Sequence, residues 1–355
     1  ERDQSRPSQG VLRSLAKALE IGVTRLIEAD PIEVQICAYR KKARLGKKEM
    51  ARIENFTAIS LQDRIRLEDA LGTVEGSVLA AGGFTVKEVA DAEQAAEKVR
   101  TNWALGEDPI ACVIDTLEEN RIHVVEVEAS DAFDGISAVA RGRRNRMLAA
   151  AVVIRKGVPG ERQRLDLTHE LGHILLDVAD GVDEEKAAFR FGAAMLAPAS
   201  AVLREVGTRR RYVDLQELLL LKRRYGMSVQ ALLYRLRDLD IITAAQYKKA
   251  CIDINRLGWR REEPMKLPAE RPTWLRQNVL RAVSEGAMST REGEQILGES
   301  MDKKPSLSLI ERRALMQMSV AERRRHLKDQ ADRITAEYEP DPDWQAVEGE
   351  DFVEY

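Results

Sequence analysis

The stretch Thr168-His169-Glu170-Leu171-Gly172-His173-Ile174-Leu175-Leu176 decides how the rest of the chain is read. In a helix, residues i and i+4 lie one turn apart on the same face. His169 and His173 can therefore present both imidazoles to one metal ion. Glu170, next to the first histidine, suits a general base rather than a ligand. Zinc would lower the pKa of a bound water from about 15.7 towards roughly 7, and Glu170 would take its proton as the water attacks a peptide carbonyl. The chain holds only four histidines, and two of them fall in this motif. The flanking Leu167, Ile174, Leu175 and Leu176 make the helix partly buried, where unpaired polar groups are costly.

A catalytic zinc needs a third protein ligand and one open position. Downstream lie Asp177, Asp180, Asp183, Glu184 and Glu185. Glu185 opens a helix whose apolar positions are Ala188, Phe189, Gly192, Met195 and Leu196, and it shares the inward stripe with Ala188 and Gly192. Glu185 is therefore the favoured third ligand, with Glu184 next. Asp177 or Asp183 is expected to support a histidine through its second nitrogen. Tyr225 and Tyr234 are candidate oxyanion donors, with a core role as the simpler reading of each.

Working outward, residues 86–101 and 108–120 read as amphipathic helices. Ile122–Val127, Ile136–Ala140 and Ala149–Ile154 read as strands. The motif helix starts near Gly160, an acidic turn spans Asp177–Glu184, and further helices cover 185–196, about 214–225, 228–239 and 243–255. Residues 8–30 read as two short helices. Residues 33–71 read as helical and strongly charged, with the basic cluster Arg40, Lys41, Lys42, Arg44, Lys47 and Lys48. The glycines of 72–85 suggest a connection between modules. Residues 271–335 read as mostly helical, and the last twenty residues lack a periodic apolar pattern. The fold class is α+β, mostly helical, with a short sheet.

At 355 residues the chain is long enough for two or three domains, and 44% hydrophobic with 32% charged residues is ordinary for a globular protein. No apolar run approaches the roughly 20 residues needed to cross a bilayer. Cys37, Cys112 and Cys251 are widely spaced and odd in number, which argues against a disulfide framework and fits a reducing cytoplasm. The net charge of −3 hides an uneven distribution: residues 337–355 hold eight acidic and no basic side chains. The chain opens on Glu1 rather than Met, so a longer parent protein is expected.

The motif stretch, followed by Glu185-Lys-Ala-Ala-Phe-Arg-Phe-Gly-Ala-Ala-Met-Leu-Ala-Pro198, resembles the ImmA/IrrE family of bacterial metallopeptidases. Arg224–Ile242 also looks like the closing helices of that family. The resemblance implies a zincin-like domain over roughly 85–262, with His169, His173 and Glu185 holding Zn2+ and Glu170 as catalytic base. Many members have Asn where this chain has Phe189 and Met where it has Ala197. The family acts on few proteins, typically helix-turn-helix repressors.

Arg6-Pro7-Ser8 and the helix after it resemble the last two helices of an XRE-type helix-turn-helix domain. Residues 1–32 are then its remnant and 33–84 a helical linker, and the whole protein is expected to bind DNA. Residues 263–318 read as a helical extension. Residues 319–355, with Trp344, Phe352 and Tyr355 set in an acidic strip, resemble the toxin-binding tails of type II antitoxins. Two functional readings follow. One is an antitoxin-type transcriptional regulator with a zinc metallo-endopeptidase domain, DNA and a protein toxin being its partners. The other is a stress-activated endopeptidase that cleaves a separate helix-turn-helix repressor. Homodimerisation stays open, no membrane association is expected, and the cytoplasm is the expected compartment.

Overall fold

A computed structural model describes residues 32–41, 46–72, 83–142 and 147–301, with the isolated positions Gly10, Val11, Ser14 and Lys328. The helices expected over 8–30 and the helix-turn-helix remnant, apart from Gly10, Val11 and Ser14, and the tail from residue 319, apart from Lys328, lie outside the described residues. Among the described residues, no helix is long and apolar enough to cross a membrane.

Four strands form the main sheet: β1 (Glu33–Lys41), β3 (Ile122–Val127), β4 (Phe133–Arg141) and β5 (Met147–Arg155), in the order β1-β4-β5-β3. β4 is antiparallel to both β1 and β5, whereas β3 and β5 are parallel. Residues 149–154 of β5 are all buried. Such a continuous apolar run is what a strand needs when both sheet faces are covered. Alternation then divides the side chains between two cores. Val124, Val139, Ala150 and Val152 face the motif helix, α4 (Gly160–Leu175). Val125, Ile136, Ala151 and Val153 face Ile53, Leu61 and Ile65 of α1 (Lys47–Ala70).

Residues 33–71 do not form one helix, because 33–41 make the edge strand β1 and the helix starts at Lys47. The cause lies in the apolar spacing. Val34 and Ile36 are half-buried between the exposed Glu33, Gln35 and Cys37, a period of two that charge counting overlooked. Of the basic cluster, Arg40 and Lys41 thereby end a strand, and Lys47 and Lys48 start a helix.

α2 (Asp91–Asn102) and α3 (Val113–Glu119) pack on the α4 side of the sheet. A short parallel pair, β2 (Phe84–Val86) with β6 (Leu176–Val178), ties down the end of α4, so part of the expected acidic turn is a strand. Beyond it come α5 (Glu184–Leu196), α6 (Ala199–Val206), α7 (Leu215–Tyr225), α8 (Val229–Asp238) and α9 (Ala244–Arg256). The helices expected after 262 begin only at α10 (Trp274–Ser284) and α11 (Thr290–Leu297).

The segment between α9 and α10 holds the start of α4. Gly160 N–H donates to the Leu267 carbonyl at 3.1 Å, and a Cβ at Gly160 would lie 2.1 Å from the Pro268 carbonyl oxygen. Glu270 is bonded to Arg164 and also accepts from the first amides of α3, Val113 N–H at 2.8 Å and Ile114 N–H at 2.9 Å. One turn earlier, the fully buried Lys222 ammonium of α7 bonds Glu161 at 2.7 Å and Glu263 at 2.9 Å. Glu161 and Glu263 also accept from the Leu267 and Val229 backbone N–H groups, each at 3.0 Å, but Lys222 is the cation they share, so removing it leaves two largely buried carboxylates without that charge. Lys222→Ala is expected to lower unfolding stability by about 3–5 kcal/mol, read from urea denaturation. A loss under about 1 kcal/mol would mean that the triad is solvated and does not anchor the helix.

Candidate metal centre

Helix α4 crosses α5 at points where neither carries a bulky side chain. A Cβ at Gly172 would sit 3.1 Å from the Ala188 Cα, and one at Gly192 would sit 2.9 Å from the His169 backbone nitrogen. Both neighbours are backbone atoms and cannot swing aside, so glycine is what allows this crossing. The crossing sets the first turn of α5 opposite the histidines.

There the side chains converge. His169 Nε2 and His173 Nε2 are 3.1 Å apart. Glu185 Oε2 is 3.5 Å from His169 Nε2, and Glu185 Oε1 is 3.4 Å from His173 Nε2. Among the described residues this trio is the one group of three or more histidine, cysteine or acidic side chains gathered as a metal site would need. Zinc takes nitrogen and oxygen donors at about 2.0–2.2 Å, and tetrahedral angles then separate the donors by roughly 3.3–3.6 Å. The observed triangle fits that spacing. Both histidines are buried, while the Glu185 side chain is half exposed, which leaves the centre open on its α5 side.

Glu184 has a different position. Its Oε1 lies 3.0 Å from His173 Nδ1, the nitrogen on the far side of the ring from Glu185. A carboxylate there favours a proton on Nδ1 and keeps the Nε2 lone pair directed at the centre. That supporting position was expected for Asp177 or Asp183. Asp183 instead caps α5, accepting from Lys186 N–H at 3.1 Å and pairing with Lys186 Nζ at 2.7 Å, while Asp177 lies opposite Thr85 in the β2–β6 pair. The Phe189 ring stands 4.2 Å from that of His169, where its flat face limits the tilt of the imidazole.

Glu170 points away from α5 and towards the sheet, and it is fully buried. A Cβ at Gly135 of β4 would lie 2.9 Å from Glu170 Oε1, so only glycine lets the strand pass this close. Next to it, Asp134 accepts from Arg162 at 2.5 Å, and Arg162 also faces Asp166 at 3.4 Å, which binds β4 to α4. Gly135 and the neighbouring Asp134–Arg162 salt bridge escaped the sequence reading, because no local pattern ties a strand glycine to a helix carboxylate.

Both tyrosine candidates have other partners. Tyr225 is buried and donates to Glu205 at 2.8 Å, and burial, with Glu205 adding to it, pushes its hydroxyl pKa up to about 12. The Tyr234 ring lies 4.0 Å beneath the Arg237 guanidinium and packs edge-on against Tyr247. Helix α5 is fixed from behind by Glu93 of α2. That carboxylate accepts from Arg190 of α5 at 2.7 Å and from the buried Arg235 of α8 at 2.7 Å.

The family model described as the IrrE N-terminal-like domain of peptidase family M78 matches residues 126–237. The match runs from β3 through α8 and takes in the whole cluster, so this region of the chain is similar to a metallopeptidase domain. No curated protein matches the chain.

The different positions of the two adjacent glutamates give a measurable contrast. Glu184→Gln should weaken zinc about 10- to 100-fold, the usual effect of losing a carboxylate behind a ligand histidine. Glu185→Ala should abolish stoichiometric binding. Competition against a chelating dye reads both, and equal losses in the two variants would contradict the assignment.

Proposed function

We propose that the chain is a zinc-dependent endopeptidase in which His169, His173 and Glu185 hold the metal and Glu170 is the general base. The observation that carries this reading is the triangle of donor atoms 3.1–3.5 Å on a side, with a buried carboxylate one residue from its first corner. When bound, zinc would supply Lewis acidity towards a water and a peptide carbonyl.

The protein's own contribution is positional. Gly172 and Gly192 let α5 bring Glu185 to the histidines, and Glu184 fixes the His173 tautomer. Glu170, the residue after His169, is buried and lies outside the donor triangle. Its carboxylate can accept a proton at Oε1 or Oε2 and return it to the departing amine. A peptide reaching Glu170 would lie close to β4 at Gly135, where no side chain intervenes.

The regulatory part of the proposal rests on sequence alone. The acidic, aromatic-bearing tail over 337–355 and the helix-turn-helix-like stretch near the start support an antitoxin-type regulator, with DNA and a basic protein toxin as partners. The alternative partner, a separate repressor as substrate, uses the same peptidase site.

Glu170→Gln tests the catalytic assignment. The variant should keep zinc at the wild-type stoichiometry and lose at least about 10³-fold in peptide cleavage. The chain itself is the first substrate to assay, by mass spectrometry of the products. Undiminished cleavage by Glu170→Gln would remove Glu170 from the chemistry.

A further inference from the structure

β4 has two sides in the sheet. β5 takes the inner one, and β1 takes the outer one, antiparallel, with Arg40 opposite Gly135 and Ala38 opposite Ser137. Gly135 is the residue against which the Glu170 carboxylate packs. The backbone of β1 therefore runs one strand spacing, about 4.8 Å, beyond the glycine that touches the general base. An extended peptide brought to Glu170 along the sheet would need this same strand position. Glu170 is fully buried in this arrangement, yet a general base must reach the group it acts on.

β1 is an edge strand with an irregular ladder. Among its described side chains, Val34 and Ile36, with Ile32 just before the strand, lie on the α1 side, each only half-buried. Its ladder slips twice in nine residues, first at Cys37, whereas the β3–β5 ladder has no slip. Glu170 is near enough for its charge to bear on Cys37: desolvation first, and Glu170 in addition, raise that thiol's pKa against the effect of Arg141. Ser137 lies two residues along β4 from Gly135, on the same sheet face. It is fully buried, and its hydroxyl has no hydrogen-bond partner among the described residues. β1 thus occupies this edge while leaving a polar group beside it unused.

We propose that the outer edge of β4 beside Glu170 is a docking edge for one extended polypeptide strand, and that β1 is its resident, inhibitory occupant. A substrate strand would replace β1 in the same antiparallel pairing, a form of β-strand addition. The inference rests on the peptidase reading for its biological meaning, but its test does not depend on hydrolysis.

Ile36 and Ala138 face each other directly across the ladder, on the side turned towards α1. Ile36→Cys/Ala138→Cys, made in the full chain with Cys37→Ser and Glu170→Gln, allows a disulfide to lock β1 in place. The zinc-loaded protein is mixed with fluorescein-labelled, carboxymethylated casein, and binding is followed by anisotropy. The reduced form should bind at least about tenfold more tightly than the oxidised form. Ile36→Asp, which removes an apolar contact of β1 without a crosslink, should tighten binding by a similar factor over its parent and speed amide exchange in 33–41 while leaving β3 and β5 protected. Equal binding by the oxidised and reduced forms, or no casein binding in any form, would overturn the proposal. Absent cleavage by the chain with Glu170 intact would count against the peptidase reading alone.

Discussion

The close crossing of α4 and α5 is the constraint on which the candidate centre depends. Two imidazoles one turn apart can share a metal in any helix, but the third donor has to arrive from another element. Here it arrives because Gly172 and Gly192 let one helix backbone approach the other to near contact. With larger residues at those points the helices would separate, and Glu185 would move out of reach of both histidines. Packing at the crossing thereby sets the distances within the donor triangle.

Buried charges then hold the two helices in place. Lys222 and Glu270 act at the start of α4, and Glu93 with Arg190 and Arg235 acts along α5. Such pairs contribute little net stability over apolar packing, but a missing partner is costly, so they favour one arrangement over its neighbours. The segment between α9 and α10 takes part through Glu263, Leu267 and Glu270. It has no regular structure of its own, and its contribution consists of backbone and carboxylate contacts made across the fold.

Much of this could be read from the sequence, for physical reasons. Strands β3, β4 and β5 and the helices from Gly160 onward declare themselves because their apolar spacing matches their period and their ends carry capping residues such as Asp214, Ser228 and Thr243. The grouping of His169, His173 and Glu185 was legible because helical phase is a local property. β1 was not, since its two half-buried side chains gave a faint period-two signal under a dense run of charge. Neither Gly135 nor the support of His173 by Glu184 could be found locally, because each depends on how separate elements meet.

The account's central claim is the composition of the metal centre, and X-ray absorption at the zinc edge tests it most directly. The zinc-loaded full chain should show two imidazole shells and light oxygen scatterers at about 2.0–2.2 Å, with no sulfur. Glu185→Ala should change that spectrum and Glu170→Gln should leave it as it is. A sulfur shell near about 2.3 Å, or a spectrum that Glu185→Ala leaves unchanged, would contradict the account.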